Sequence, residues 1–249
     1  MEHGPGAYGL PGRHGSFWME TTAAETPNPP LPENMETDVA VVGGGIVGIT
    51  AAVLLKRAGY AVALIEGDRI ARGVTGHTTA KVTSLHRLIY KDLIDRFGSR
   101  LAQQYAEANQ AAIETIASLV REYGIACDFA RRPACTYAET EEGRDKVAAE
   151  ADAARSLGLP AAFVEEIPLP ARSYGAVVFE NQAQFHPVKY LLHLASLIPG
   201  DGSRIYEKTR ALEVQDSGGR CTVRTTSGVV TATTVVLATH YPFYDAPGF

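Results

Sequence analysis

An α/β fold is what this sequence predicts, and three observations predict it. A β-branched run, Asp38-Val-Ala-Val-Val42, leads into Gly43-x-Gly45-x-x-Gly48. A helical apolar pattern follows. Eighteen residues past Gly48 a second apolar run, Val62-Ala-Leu-Ile, ends on the carboxylate of Glu66. Strand, helix and strand at that spacing form a unit that binds a dinucleotide, and each residue has a mechanical reason to be there. Gly43 allows the tight strand-to-helix turn, Gly45 lets backbone approach a pyrophosphate, and Gly48 lets helix pack closely on strand. The helix N-terminus offers unpaired N–H groups and a positive dipole end to phosphates, and Glu66 can accept hydrogen bonds from a ribose.

Composition fits that reading and excludes others. At 249 residues, 45% hydrophobic and 20% charged, the chain is long enough for a proper core. A net charge of -5 argues against nucleic acid or an anionic membrane as the main partner. Cys127, Cys135 and Cys221 stand far apart without CxxC spacing, which predicts neither disulfides nor a metal or iron–sulfur site and points to the cytoplasm. The uncharged run 39–55 contains the four glycines of the fingerprint region and falls short of the roughly 20 residues a membrane span needs. It reads as a buried strand plus a buried helix. The first 38 residues lack the apolar segment of a signal peptide.

Residues 1–36 read as a flexible Pro/Gly-rich tail, because Thr26-Pro-Asn-Pro-Pro-Leu-Pro32 suits neither helix nor central strand. Phe17-Trp18-Met19 is an apolar patch expected to dock on the domain, with Trp18 in a packing role. The first strand–helix–strand unit covers 37–66, with its helix stopping near Ala58-Gly59. A Gly/Thr/Arg-rich loop, 67–84, follows. Helices are predicted at 88–97 and 100–123; in the second, Leu101, Tyr105, Ala108, Ala112, Ile116, Leu119 and Tyr123 form a three- and four-spaced stripe read as a core face. Strand pieces near 127–138, 161–165 and 176–180 flank a charged helix at 141–157. Pro187 opens a helix to about 197. Strands at 204–214, 221–226, 229–232 and 234–238 complete the chain, the last nearly all apolar as a buried parallel strand would be.

The loop Arg72-Gly-Val-Thr-Gly-His-Thr-Thr-Ala-Lys81 is the second informative element. Its small and hydroxylated residues can offer N–H and O–H groups to phosphate and ribityl oxygens, and Arg72 and Lys81 add positive charge. Taken alone the fingerprint permits FAD or NAD, while Glu66 disfavours a 2′-phosphate.

With this loop, the fingerprint and Asn181-Gln-Ala-Gln-Phe-His-Pro187 in view, the chain resembles the D-amino-acid oxidase/glycine oxidase-like family of FAD-dependent oxidoreductases from Asp38 to about Thr239. Within it the chain looks most like a bacterial subgroup whose members commonly carry a Rieske domain after the flavoprotein part. The resemblance implies a Rossmann-like FAD-binding domain (37–85 and 184–249) with an inserted α+β segment, 86–183, contributing to a substrate domain. It implies oxidation of a C–N bond in an amine or amino acid by hydride transfer to the flavin. Gly43, Gly45 and the Ile46 and Val47 amides would hold the pyrophosphate, and Glu66 the adenosine ribose. Val74, Thr75, Thr79, Ala80 and Lys81 fall where the family's flavin-contacting loop lies. Ala211 would offer its main chain to the adenine, and Thr239 ends a strand like the family's second flavin motif.

The chain also departs from the family pattern. Ala80 and His240 stand where glycine is usual, and there is no CxH…CxxH pair for a Rieske cluster. His77 matches the place of a histidine that some amine dehydrogenases of the wider family bond covalently to flavin; a polar loop histidine is the plainer reading. The family pattern continues past the point where this sequence stops, so the fold is expected to be C-terminally incomplete, and a truncated, nucleotide-binding chain without catalysis is an alternative. No catalytic side chain and no metal ligand set stands out, which suits chemistry carried by the cofactor.

Overall fold

The computed structural model describes residues 15–23, 26–168, 173–241 and 243–244. In chain order its elements are α1 (Phe17–Glu20), β1 (Met35–Val42), α2 (Ile46–Arg57), β2 (Val62–Ile65), a 3₁₀ turn at Thr75–His77, β3 (Lys81–Val82), α3 (Tyr90–Glu122), β4 (Ala130–Arg131), β5 (Ala134–Tyr137) and α4 (Glu141–Ser156). After these come β6 (Ala161–Val164), β7 (Ala176–Phe179), β8 (Ala183–Gln184), α5 (Pro187–Ser196), β9 (Arg204–Tyr206), β10 (Ala211–Asp216), β11 (Cys221–Thr225) and β12 (Val229–Leu237). By its contacts the chain divides into two compact units, one reaching His77 and resuming at Leu194, the other Thr78–His193. The boundaries expected from the sequence are 85/86 and 183/184; the observed later boundary, between His193 and Leu194, falls inside α5.

In the first unit a six-stranded sheet runs β10-β11-β12-β1-β2-β9. β1 is parallel to both β12 and β2, and β2 to β9, whereas β10, β11 and β12 form an antiparallel meander. Short Val/Ala/Ile runs suit this interior: the last four residues of β1 and all of β2 are buried. One face packs Ala40, Val42, Ala63, Ile65, Tyr206, Val223 and Val230 with Leu31.

Several local expectations change here. The 229–232 and 234–238 pieces are one continuous strand, β12. It pairs with β11 only over Val229–Ala232, and beyond that its residues are half-buried or exposed rather than enclosed on both sides. The 204–214 piece is split by a turn in which Lys208 takes φ 51 and Thr209 N–H bonds Glu66 O. Residues 26–34 do not behave as a tail. Asn28 N–H donates to Glu207 Oε2 at 2.6 Å, Leu31 N–H to Thr209 Oγ1 at 3.0 Å, and Leu31 is 2% exposed. A proline-rich run cannot join a sheet, but its few N–H groups can be taken by side chains, and here they are. Residues 1–14 lie outside the described residues. α1 docks as expected: Ser16 Oγ donates to Gly76 O, and Met19 packs on Gly76.

The second unit is built from two small sheets, β3-β8-β4 and β5-β7-β6, with α3 and α4. β3, which falls inside the expected loop 67–84, pairs with β8. Gly98, at φ 78 and ψ 161, breaks α3 between the two expected helices. The expected core stripe holds at Leu119 but is elsewhere displaced by about one residue. Ala102, Ala106, Ile113 and Ala117 are buried, and Leu101 is 46% exposed. Small side chains let α3 lie close to α4, whose Val147, Ala151 and Ala154 share the same core cluster, and that closeness outweighs the larger area of Leu101. Glu150, fully buried, caps α3: Oε1 accepts Tyr90 N–H at 2.7 Å and Oε2 accepts Lys91 N–H at 3.0 Å. The Tyr90 ring stacks on Phe179 with centroids 5.8 Å apart. Among the described residues no helix is long and apolar enough to cross a membrane.

Candidate functional site

A cleft of about 850 Å³ opens in the first unit at the C-terminal ends of β1, β2 and β12. That is the end at which open parallel sheets bind ligands. Its floor is the turn Gly43–Gly45, with Ile46 and Val47 of α2 beside it. The first intrahelical bond of α2 runs from Ile49 N to Gly45 O at 3.0 Å, and Gly45 supplies no side-chain cap. The N–H groups of Ile46, Val47 and Gly48 are therefore without intrahelical acceptors at the positive end of the helix dipole.

The three glycines of the fingerprint do different work. A Cβ on Gly48 would stand 1.8 Å from Gly43 O, so helix and turn meet backbone to backbone. A Cβ on Gly43, at φ +113, would stand 2.5 Å from Ala238 O at the end of β12. A Cβ on Gly45 would meet only Thr75 Oγ1, at 3.5 Å, an ordinary contact between two residues that both line the cleft. The fold demands the first two glycines. The third leaves room that a side chain could fill, which is the form a cradle for a phosphate takes.

Glu66 sits on the cleft wall. Its Oε2 accepts Gly44 N–H at 2.7 Å and its Oε1 accepts Asp68 N–H at 2.8 Å, which aims the carboxylate and leaves each oxygen a second lone pair. Asp68, Arg69, Arg72 and Arg210 add charge to the walls. The hydrogen bond and charge of Lys208 hold Asp68 below the usual carboxylate range. Arg69 Nε pairs with Glu207 Oε1 at 3.1 Å.

Of the residues expected from the sequence, Gly43, Gly45, Ile46, Val47, Glu66, Arg72, Val74, Thr75, Ala211 and Thr239 line this one cleft. Gly48 lies beneath it. His77 ends the 3₁₀ turn, exposed, with Nδ1 2.7 Å from Gly73 O, and is not a lining residue. Thr79, Ala80 and Lys81 belong to the second unit. Ala80, where the resemblance led one to expect glycine, has φ 61, the left-handed backbone that glycine adopts freely; His240 is not at positive φ. Gly44, Asp68, Arg69 and Arg210 also line the cleft and were not expected. Asp68 and Arg69 directly follow the Gly67 that succeeds Glu66, so the strand-end position itself was the available signal. Arg210 gave none.

Among the described residues no group of histidine, cysteine and carboxylate side chains could hold a metal. All three cysteines are free, and burial pushes the Cys127 thiol up, away from nucleophilic character. The cleft therefore offers binding groups rather than a nucleophile, and it has the size, the donors and the acceptor that a dinucleotide fits.

Comparison with known proteins agrees. The model of the family described as FAD dependent oxidoreductase matches residues 38–242. The Bacillus subtilis (strain 168) protein called putative Rieske 2Fe-2S iron-sulfur protein YhfW is 38% identical over 234 residues, 94% of this chain and 46% of its own. The gamma-glutamylputrescine oxidoreductase of Escherichia coli (strain K12) is 28% identical, covering 90% of this chain and 53% of its own. The chain thus spans about half the length of these relatives. Among solved structures, L-proline dehydrogenase from P. horikoshii superposes with a TM-score of 0.67 at 21% identity, over 84% of this chain and 54% of its own, and so shares the fold. The chain belongs to the family of FAD-dependent oxidoreductases, and FAD is its cofactor.

Proposed function

We propose that the protein oxidises a C–N bond of an amine or amino acid, with the cleft of the first unit holding the ADP part of FAD. The observation that carries the cofactor placement is the room left at Gly45 beside the free N–H groups of α2, in the cleft that the aimed carboxylate of Glu66 also lines. The Ile46 and Val47 amides bind the pyrophosphate, and Arg72 and Arg210 offset its charge. Glu66 takes the ribose hydroxyls on its remaining lone pairs, and the Ala211 main chain borders the adenine. Val74, Thr75 and Thr239 continue the wall toward the rest of the cofactor. The roles that resemblance assigns to His77, Thr79, Ala80 and Lys81 rest on sequence alone. Bound FAD supplies the two-electron acceptor that protein side chains lack. The amine or amino-acid class is supported by relatives named for gamma-glutamylputrescine and L-proline. Three free, dispersed cysteines support a cytoplasmic setting.

The test is a purified sample titrated separately with FAD and NADH, then held anaerobically with a panel of amines and amino acids. FAD binding followed by flavin bleaching with members of the panel is the expected result. Uptake of NADH in place of FAD would overturn the cofactor assignment of the cleft, and a flavin that no amine bleaches would overturn the substrate class.

A further inference from the structure

Glu207 is a carboxylate of the first unit that the cleft does not use. Its side chain is 1% exposed, and a buried carboxylate persists only where donors surround it. Its donors come from two distant parts of the chain. Oε2 accepts Asn28 N–H at 2.6 Å; Oε1 accepts Ile70 N–H at 2.8 Å and Arg69 Nε–H at 3.1 Å. Glu207 thereby joins the proline-rich segment to the loop that follows Glu66. The segment is itself anchored, by Glu207 N–H to Pro29 O at 3.2 Å and by the buried Leu31.

From Ile70 the contacts lead straight to the fingerprint turn. Ile70 Cγ2 lies 2.7 Å from where a Cβ on Gly44 would stand, so its methyl rests on Gly44. Ala71 N–H donates to Gly44 O at 2.8 Å, and Gly44 N–H donates to Glu66 Oε2. The loop thus holds Gly44 at its carbonyl and from its face, while Glu66 holds its N–H. Ala71 takes φ 55, a conformation that alanine resists and that lasts only where surrounding contacts impose it. The contacts of Ile70 with Glu207 and of Ala71 with Gly44 impose it.

We propose that Glu207 is a positioning residue for the cleft: backed by segment 26–31, it locks loop 68–71 in the shape that sets the Gly43–Gly45 turn. The proposal rests on the reading of the cleft as the site of the ADP part of FAD. Glu207→Gln keeps the size of the side chain but turns an amide donor toward one of its two sets of donors. Asn28→Pro removes the N–H that Oε2 accepts together with the Asn28 carboxamide, at a half-buried position among prolines. FAD and ADP are titrated separately against the whole chain and both variants, below the melting temperature of each apoprotein, which is measured on the same samples.

The wild-type chain binds both ligands, and Glu207→Gln weakens both by the same factor, about tenfold. Asn28→Pro shifts both in the same direction by a smaller factor. A lower apoprotein melting temperature with unchanged affinities in the folded Glu207→Gln chain makes the residue merely structural and overturns the proposal. If Glu207→Gln does not fold, Asn28→Pro decides, and unchanged affinities for both ligands overturn the proposal. A wild-type chain that binds neither FAD nor ADP overturns the cleft reading itself, and the proposal with it.

Discussion

The two units bring chain segments together by different means. In the first, the closest approach is backbone on backbone: a Cβ on Gly48 would stand 1.8 Å from Gly43 O. In the second, α3 and α4 approach through side-chain methyls, Ala102 and Ala106 sharing a cluster with Ala151 and Ala154. Where peptide meets peptide only glycine serves, so residue identity is dictated and the geometry can be read from the letters. Where methyl meets methyl, neighbouring phases of a helix are nearly equivalent, and the letters leave the choice to packing. Function follows the same division, because the backbone-tight region is also the one that presents free N–H groups to a ligand.

The sharpest way to break that contrast is Gly48→Ala. The added methyl meets a carbonyl oxygen that no rotamer change can move, so the first unit loses more than about 3 kcal/mol and its sheet does not assemble. Urea denaturation followed by circular dichroism checks this; a variant with wild-type stability would show that the turn yields and that the tight contact is not required. In the second unit the comparable lever is a side chain. Glu150→Ala strips two N–H groups at the start of α3 of their acceptor inside the core, a loss of about 2–3 kcal/mol. Glu150→Gln, which still accepts at one oxygen, loses less. A urea midpoint for Glu150→Ala equal to wild type would show that α3 is not capped by this residue.

These two positions also mark how far the sequence was legible. Gly43, Gly45, Gly48 and Glu66 announced themselves because a turn, a close crossing and a strand-end acid each demand one residue type at one spacing. Elements came through where periodicity is local, including the break that divides α3 at Gly98. The phase of the α3 stripe did not, because Leu101 and Ala102 fit a 3.6-residue period equally well and only the proximity of α4 chooses between them. Glu150 and Glu207 were silent for another reason: each acts on N–H groups 59 or more residues away in the chain, and nothing near them in sequence records it. The docking of 26–34 was missed on the same grounds, since its hydrogen bonds go to side chains 178 and 179 residues away.

A smaller effect is set by pH. His186 is buried, and its Nδ1 accepts Lys189 N–H at 3.2 Å in the first turn of α5. Burial, with help from the Lys189 charge, holds its pKa below the ordinary histidine value. The folded chain therefore binds this proton less readily than the unfolded one. Above the ordinary value, about 6.5, both states are neutral and the contribution is fully present. As pH falls below about 6.5 the unfolded chain takes up the proton first, and the stability is lost progressively down to the folded pKa. Protonation at Nδ1 also removes the acceptor that Lys189 N–H uses. His186→Asn, which can accept that bond without titrating, flattens the fall in urea midpoint between pH 7.5 and 5.5 relative to wild type. Parallel profiles for the two proteins would count against the assignment.

The smallest effect on stability is expected at Gly45, and it bears most directly on function. Its φ of −92 and ψ of −166 are extended backbone that any residue adopts, and a methyl there meets only Thr75 Oγ1 at 3.5 Å. Alanine is a poorer helix cap than glycine but restricts the unfolded chain more, so Gly45→Ala stays within about 1 kcal/mol of wild type. If the cleft receives a pyrophosphate at this turn, the same methyl occupies the phosphate's place, and FAD affinity falls at least about tenfold with the fold intact. A melting curve and an FAD titration on one sample measure both. Gly45→Ala that unfolds would make Gly45 a packing glycine like Gly48, and Gly45→Ala that binds FAD as wild type does would move the phosphates away from the turn. Loss of binding on an undisturbed fold separates the glycine that serves the ligand from the two that serve the chain.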